Sequence, residues 1–169
     1  MPGADRTRLQ GTQYTGQSCI FQVTTTGGNQ LNWLEGVMGA GYEDKRTRPL
    51  VWGSRRDGRP IGKGAGKYEP GALTIDVEEA TWDLISSALA AESTDGLSFG
   101  DVAFTLQIQL YEEDKPVTTI TMTFDGCNID GDKGDYPTSG GDPLKKALAL
   151  SYLSKDQGGK TLFSGTRTP

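Results

Sequence analysis

A chain of 169 residues can bury a full core without disulfide or metal staples, and its 34% apolar residues plus 24 glycines match ordinary globular usage. No apolar run approaches the ~20 residues of a membrane-spanning helix, and the opening MPGADRTRLQGTQ lacks the apolar stretch of a secretory signal, so synthesis in the cytoplasm without membrane insertion is expected. The net charge is −5 and there is no histidine, which removes the commonest general base and metal ligand and every Ser-His-Asp or Cys-His arrangement.

SCIFQVTTT (18–26) reads as a first strand, with Cys19, Phe21 and Val23 on one face. A Gly-Gly turn leads to NQLNWLEGV (29–37), a second strand. About thirty irregular residues follow, MGAGYEDKRTRPLVWGSRRDGRPIGKGAGKYEPG, within which RPLVWGSRRDGRPIGKG can close as a hairpin around the Asp-Gly pair. Structureless segments this long are uncommon in compact domains and are usually functional. Strand character returns in ALTIDVE (72–78), where Leu73, Ile75 and Val77 share a face. EEATWDLISSALAAE (78–92) is the one helix, with Trp82, Ile85, Leu89 and Ala88 at helical spacing and Glu78 and Glu79 at its positive end.

FTLQIQLYEEDKPVTTITMTF (104–124) is two strands and a turn. Phe104, Leu106, Ile108 and Leu110, then Ile120, Met122 and Phe124, form apolar rows; the opposite rows are Thr and Gln almost free of charge. GCNIDGDKGDYPTSGGDP reads as a polar, glycine-rich connection. LKKALALSYLS (144–154) is a strand through Leu148, Leu150 and Tyr152, and GGKTLF (158–163) a short last one. The fold expected is mostly β (α+β): two packed antiparallel sheets as a sandwich or barrel, one flanking helix, and a long loop or hairpin arm. A single domain spans 1–169, with a flexible N-terminus over 1–14, an extended arm over 39–70 and a flexible tail over 164–169. Cys19 and Cys127 fall on strands far apart in sequence and are expected as free thiols.

The arm carries most of the positive charge. From Lys45 to Lys67, eight basic residues (Lys45, Arg46, Arg48, Arg55, Arg56, Arg59, Lys63 and Lys67) stand against Asp57, so that segment holds about +7 and the remainder of the chain about −12. Such a cluster suits nucleic acid or an acidic protein surface. The acidic remainder repels phosphate and attracts a basic arm, which favours a second copy of the same chain. Trp52, set among arginines, has interface composition.

Signals for chemistry fail one by one. GRPIGKGAGKY lacks the four-residue spacing and terminal hydroxyl of a phosphate loop. DGCNIDGDKGD (125–135) places Lys133 where a calcium loop needs glycine and Ser139 where it needs glutamate, and reads as a solvated turn. Glu112 with Glu113, and Glu78 with Glu79, are adjacent and cannot flank one bond. No catalytic residue, cofactor or metal is expected, so the chain is not read as an enzyme. A carbohydrate- or peptide-binding module built on Trp33 and Trp52 stays open.

Uncharged polar rows suit a wet but sheltered wall, because an open sheet face normally carries Lys and Glu. With a basic arm on an acidic body, they describe a subunit of a ring or tube. The layout, with KYEPGALTIDVEEATWDLISSAL, FTLQIQLYEEDKPVTTITMTFDGCNI and GGDPLKKALALSYLSKDQGGKTLF in order, resembles bacteriophage tail tube proteins and the related Hcp-like inner-tube proteins of contractile injection systems. The resemblance covers most of residues 15 to 165. It implies homohexameric rings stacked into a virion tail tube that passes DNA during ejection, with sheath, baseplate or initiator and tail terminator proteins as partners. The arm would bridge to the next ring or subunit through Arg46, Arg48, Trp52, Arg55, Arg56, Arg59, Lys63 and Lys67. Thr105, Gln107, Gln109, Thr119, Thr121 and Thr123 would line the lumen.

Overall fold

The computed structural model describes residues 19–31, 36–52, 60–64, 66–112, 115–136, 139–141 and 143–161, with backbone only for 67, 111–112 and 115–119. The chain is built from β1 (Cys19–Thr25), β2 (Gln30–Leu31), β3 (Val37–Thr47), β4 (Leu50–Trp52), β5 (Pro60–Lys63), β6 (Lys67–Glu78), α1 (Glu79–Glu92), β7 (Phe104–Glu112), β8 (Lys115–Asp135), β9 (Lys145–Ser151) and β10 (Ser154–Gln157). Eight strands form one antiparallel sheet in the order β2-β1-β7-β8-β9-β6-β3, with β10 also on β8; β4 and β5 pair separately.

The long strand β8 joins the two halves of the sheet. Its first half pairs with β7, Gln107 opposite Thr123 and Ile108 opposite Met122; its second half pairs with β9, Ile129 opposite Leu150 and Asp132 opposite Leu148. At the changeover the register slips between Phe104 and Leu106, and Gly126 takes φ +64°, a left-handed conformation open to glycine at little cost. The two halves contribute to one core: Phe21, Val23, Leu106, Ile108 and Phe124 from one, Leu73, Ile75, Val77, Leu148 and Leu150 from the other. α1 covers one end with Trp82, Ile85 and Leu89, all buried, while Ala88 is half-buried. Trp82 packs edge-on against Phe99 at 5.3 Å and carries Lys146 over its ring at 5.2 Å. At the other end of the helix, Glu92 accepts from Thr25, from the Gly27 amide (2.8 Å) and from Asn29 (2.9 Å), fixing the turn between β1 and β2.

The mostly-β architecture with a single helix matches the sequence reading, with corrections. The sheet is not closed into a barrel; β2 and β3 end the path as edge strands. The stretch read as irregular is largely strand: β3 pairs with β6 from Val37 opposite Val77 to Thr47 opposite Lys67. Residues 125–135, read as a solvated turn, are the second half of β8, held by β9. The expected second strand is reduced to Gln30–Leu31 plus the start of β3, residues 32–35 lying outside the described residues. The last described strand is Ser154–Gln157; Gly158 and Gly159, where a further strand was expected, turn the chain so that Gln157 bridges to Lys160, and residues 162–163 of that expected strand lie outside the described residues. Cys127 is buried and Cys19 half-buried, both free thiols. The segments 1–14 and 164–169 lie outside the described residues.

Candidate assembly surfaces

Three features of the surface stand out: a polar sheet face, an arm with an apolar tip, and the ion-pair cluster at the root of that arm. The polar face belongs to β1, β7 and the first half of β8. Strand alternation puts Thr24 beside Thr105, Gln22 beside Gln107 and Thr123, and Gln109 beside Thr121. These side chains are half-buried by one another. Asp156 on β10 lies opposite Thr123, and Thr105 donates to Asp125 at 3.3 Å, so two acids border the described rows. Thr119 lies on β8 with its side chain outside the described part.

The arm is a continuation of β3 and β6 past a bulge between Tyr42 and Asp44, capped by the β4–β5 hairpin with Leu50 opposite Lys63 and Trp52 opposite Pro60. The Gly64 amide donates to the Pro49 carbonyl at 2.8 Å and closes the hairpin base. Its apolar residues are bare: Trp52 is 62% exposed and Ile61 54%, with Leu50 and Val51 nearly as open. Leu50, Val51, Trp52 and Ile61 thus leave several large apolar side chains exposed on this hairpin. Arg48 and Lys63 are exposed and Arg46 half-buried; the Lys67 side chain and residues Arg55, Arg56 and Arg59 lie outside the described part, as does Trp33.

The root cluster was not visible in the sequence. Asp44 on β3 accepts from the hydroxyls of Tyr152 (2.6 Å) and Tyr68 (2.7 Å) on one carboxylate oxygen, while the other faces the Lys155 ammonium at 3.0 Å. The side chains of Asp44 and Lys155 are 3% and 8% exposed, so this is a buried pair whose desolvation is offset by hydrogen bonds. Lys155 also stands 3.9 Å over the Tyr42 ring, and Tyr152 donates to the Glu43 carbonyl at 3.0 Å. Together these contacts tie the root of the arm to β10, on the other half of the sheet. Burial alone would raise the Asp44 carboxyl, but hydrogen bonds from Tyr152, Tyr68 and Lys155 outweigh it and hold the group below its ordinary range. Burial first, and then hydrogen bonding to Asp44, pushes the Tyr68 hydroxyl up to about 12 and raises Tyr152 as well. For Lys155 burial opposes the charge, yet the hydrogen bond to Asp44 wins and the group is raised.

The sign of the pH dependence follows. Tyr68 titrates higher folded than unfolded, so its contribution is complete below pH 10 and is lost as pH rises through about 12. Asp44 titrates lower folded than unfolded, so its contribution holds above pH 3.8 and is lost as pH falls through its folded value. Tyr68→Phe is expected to flatten the fall in melting temperature between pH 10 and pH 12, read by circular dichroism; an unchanged slope would show that the Tyr68 hydroxyl does not stabilise the fold. Gly71, opposite the bulge, is a second check on the root. A Cβ there would stand 2.1 Å from the Glu43 carbonyl oxygen, a backbone atom that cannot swing aside. Gly71→Ala is expected to cost about 2 kcal/mol or more in a denaturant titration, and a neutral result would place the root elsewhere.

Among the described residues no helix is long and apolar enough to cross a membrane, and no group of three or more His, Cys, Asp or Glu is placed to hold a metal ion. No protein-family model and no curated protein matches the sequence. Solved structures do match. The tail tube of SPP1 superposes with a TM-score of 0.55 at 10% identity, over 88% of this chain and 81% of the other. The chain has the tail-tube fold. Hcp1 from Flavobacterium johnsoniae shares this fold with a TM-score of 0.51 at 15% identity, over 86% of this chain and 99% of that one. So does a chain of the sheath/tube terminator of the extracellular contractile injection system PVC, with a TM-score of 0.58 at 8% identity over 88% and 98%. The tail-tube fold supplies the sheet and helix of these surfaces; what the surfaces do is a separate inference.

Proposed function

We propose that the chain is a non-enzymatic structural subunit of a tube, in which six copies form a ring and rings stack. The observation that carries the reading is the bare apolar hairpin, Leu50, Val51, Trp52 and Ile61, held out on a buried ionic root by a chain of the tail-tube fold. Exposed apolar surface of this extent is a liability in a monomer and a joint in an assembly. The arm, which carries Arg46, Arg48, Arg55, Arg56, Arg59, Lys63 and Lys67 in its sequence, contacts the acidic body of a neighbouring subunit. The rows of Thr105, Gln107, Gln109, Thr119, Thr121 and Thr123 line the channel. A wall of hydroxyls and amides bordered by acids has nothing to grip phosphate, so DNA slides through it in transit. The tube belongs to a virion tail made in the host cytoplasm and meets sheath, baseplate or initiator and terminator proteins at its surface and ends.

An Hcp-like tube component of a secretion system is the second reading, and the likeness to Hcp1 supports it equally on fold. A monomeric carbohydrate- or peptide-binding module would use Trp52 but leaves the split between a basic arm and an acidic body without a role. Sedimentation velocity over a hundredfold range of concentration separates these classes. The tube reading expects six-fold and larger species to grow with concentration; a single species of one chain mass throughout would favour the binding module.

A further inference from the structure

Past the bulge between Tyr42 and Asp44 the arm leaves the sheet as a two-stranded ribbon. β9 pairs with β6 only from Leu73 to Glu78, so Asp44–Thr47 of β3 and Lys67–Pro70 of β6 pair with each other and with no third strand among the described residues. Two-stranded ribbons twist strongly and are marginal by themselves. Backbone pairing therefore leaves the direction of the arm loosely set.

Side chains reach across where no ladder does. β10 is hydrogen-bonded to the first half of β8, not to β3 or β6, and it places Lys155 opposite Phe124. From there the Lys155 ammonium reaches Asp44 on β3 and stands over the Tyr42 ring. Phe124 packs edge-on against Tyr42 at 5.4 Å and against Tyr152 at 5.2 Å. The Asp44 carboxylate thus meets an ammonium from β10 and hydroxyls from β6 and from the turn after β9. Apolar residues could fill this space without charge. A buried ion pair is often no more stabilising than apolar side chains of its volume, because desolvation offsets the attraction, yet it demands one geometry. An apolar contact slides; a carboxylate with three directed partners does not.

We propose that the Asp44–Lys155 pair is a conformational lock, which selects one setting of the arm against the sheet and adds little stability beyond what apolar residues of the same size would give. The inference concerns a single copy and stands apart from the tube reading. Removing one member leaves the other buried without its partner and destabilises the fold whatever the role of the pair. Replacing the group together separates a lock from an ordinary stabiliser.

The test uses the full chain in a Cys19→Ser background, with spin labels at Ile61→Cys on β5 and Ser87→Cys on the exposed side of α1; Cys127 is buried and stays. Labelled chain is diluted into unlabelled chain, so each measured distance lies within one copy. The parent is expected to give one narrow distance distribution by pulsed electron paramagnetic resonance. Asp44→Leu with Tyr68→Phe and Lys155→Met is expected to melt at or above the parent temperature and to give a broadened or shifted distribution. Amides of 44–47 and 67–70 are expected to exchange about tenfold faster, with those of β7 unchanged. Asp44→Asn with Lys155→Met, which removes both charges and keeps an acceptor for the two tyrosines, is expected to broaden the distribution less. A broad distribution in the parent, or a narrow and unshifted one in the triple variant, would overturn the lock. So would a melting temperature well below the parent with faster exchange throughout the sheet, or loss of folding in both variants, since the pair would then be an ordinary stabiliser.

Discussion

Leu106→Asp is expected to leave no folded protein. Leu106 is 1% exposed and sits on β7 between Val23 of β1 and Phe124 of β8, both buried. An aspartate there has no cation within the apolar core to pair with, and burying an unpaired polar or charged group costs several kcal/mol. Removing the leucine adds the loss of its packing, about 2–5 kcal/mol. Either part is a large share of the 5–15 kcal/mol typical of a domain. The neighbouring substitution Gln107→Asp is expected to fold, because alternation puts residue 107 on the polar face between Gln22 and Thr123. Circular dichroism and melting of the two variants decide between the faces. A cooperative melt for Leu106→Asp beside an unfolded Gln107→Asp would mean the core and polar faces are reversed.

The triple substitution Arg55→Glu, Arg56→Glu and Arg59→Glu is expected to abolish assembly and leave the melting temperature within a few degrees of the parent. These residues lie outside the described part, between β4 and β5, so the expectation rests on charge and chain position. Each reversal shifts the arm by two units and takes a segment of about +7 to about +1, facing a body of about −12. The same account expects assembly of the parent to weaken between 0.1 M and 1 M salt, where the Debye length falls from about 10 Å to about 3 Å. Light scattering reads both effects. Normal assembly by the triple variant would show that the arm's charge is not what joins the copies. Salt-independent assembly would shift the weight to the apolar hairpin and the sheet edges.

The parts of the fold that obey one strong periodicity were legible in the sequence. β1, β7 and β9 alternate cleanly because one face of each lies on the core, and α1 repeats Trp82, Ile85 and Leu89 because one stripe does. β3 was illegible for the opposite reason. As an edge strand rich in glycine and charge, MGAGYEDKRT is held by backbone pairing with β6 and buries no complete side-chain row. The second half of β8 reads as a turn by composition, GCNIDGDKGD, yet its pairing with β9 overrides local preference. The root cluster joins Asp44 to Lys155 across more than a hundred residues, and a lone lysine on a short polar strand gives no sign of a buried partner. The hairpin's apolar residues were readable as letters, whereas their exposure needed the structure.

Electron microscopy of the purified chain in negative stain, at low and at high concentration, tests the central claim most directly. The account predicts rings with a central channel at low concentration and hollow tubes at high concentration. A uniform field of small single particles, unchanged on concentration, would contradict it.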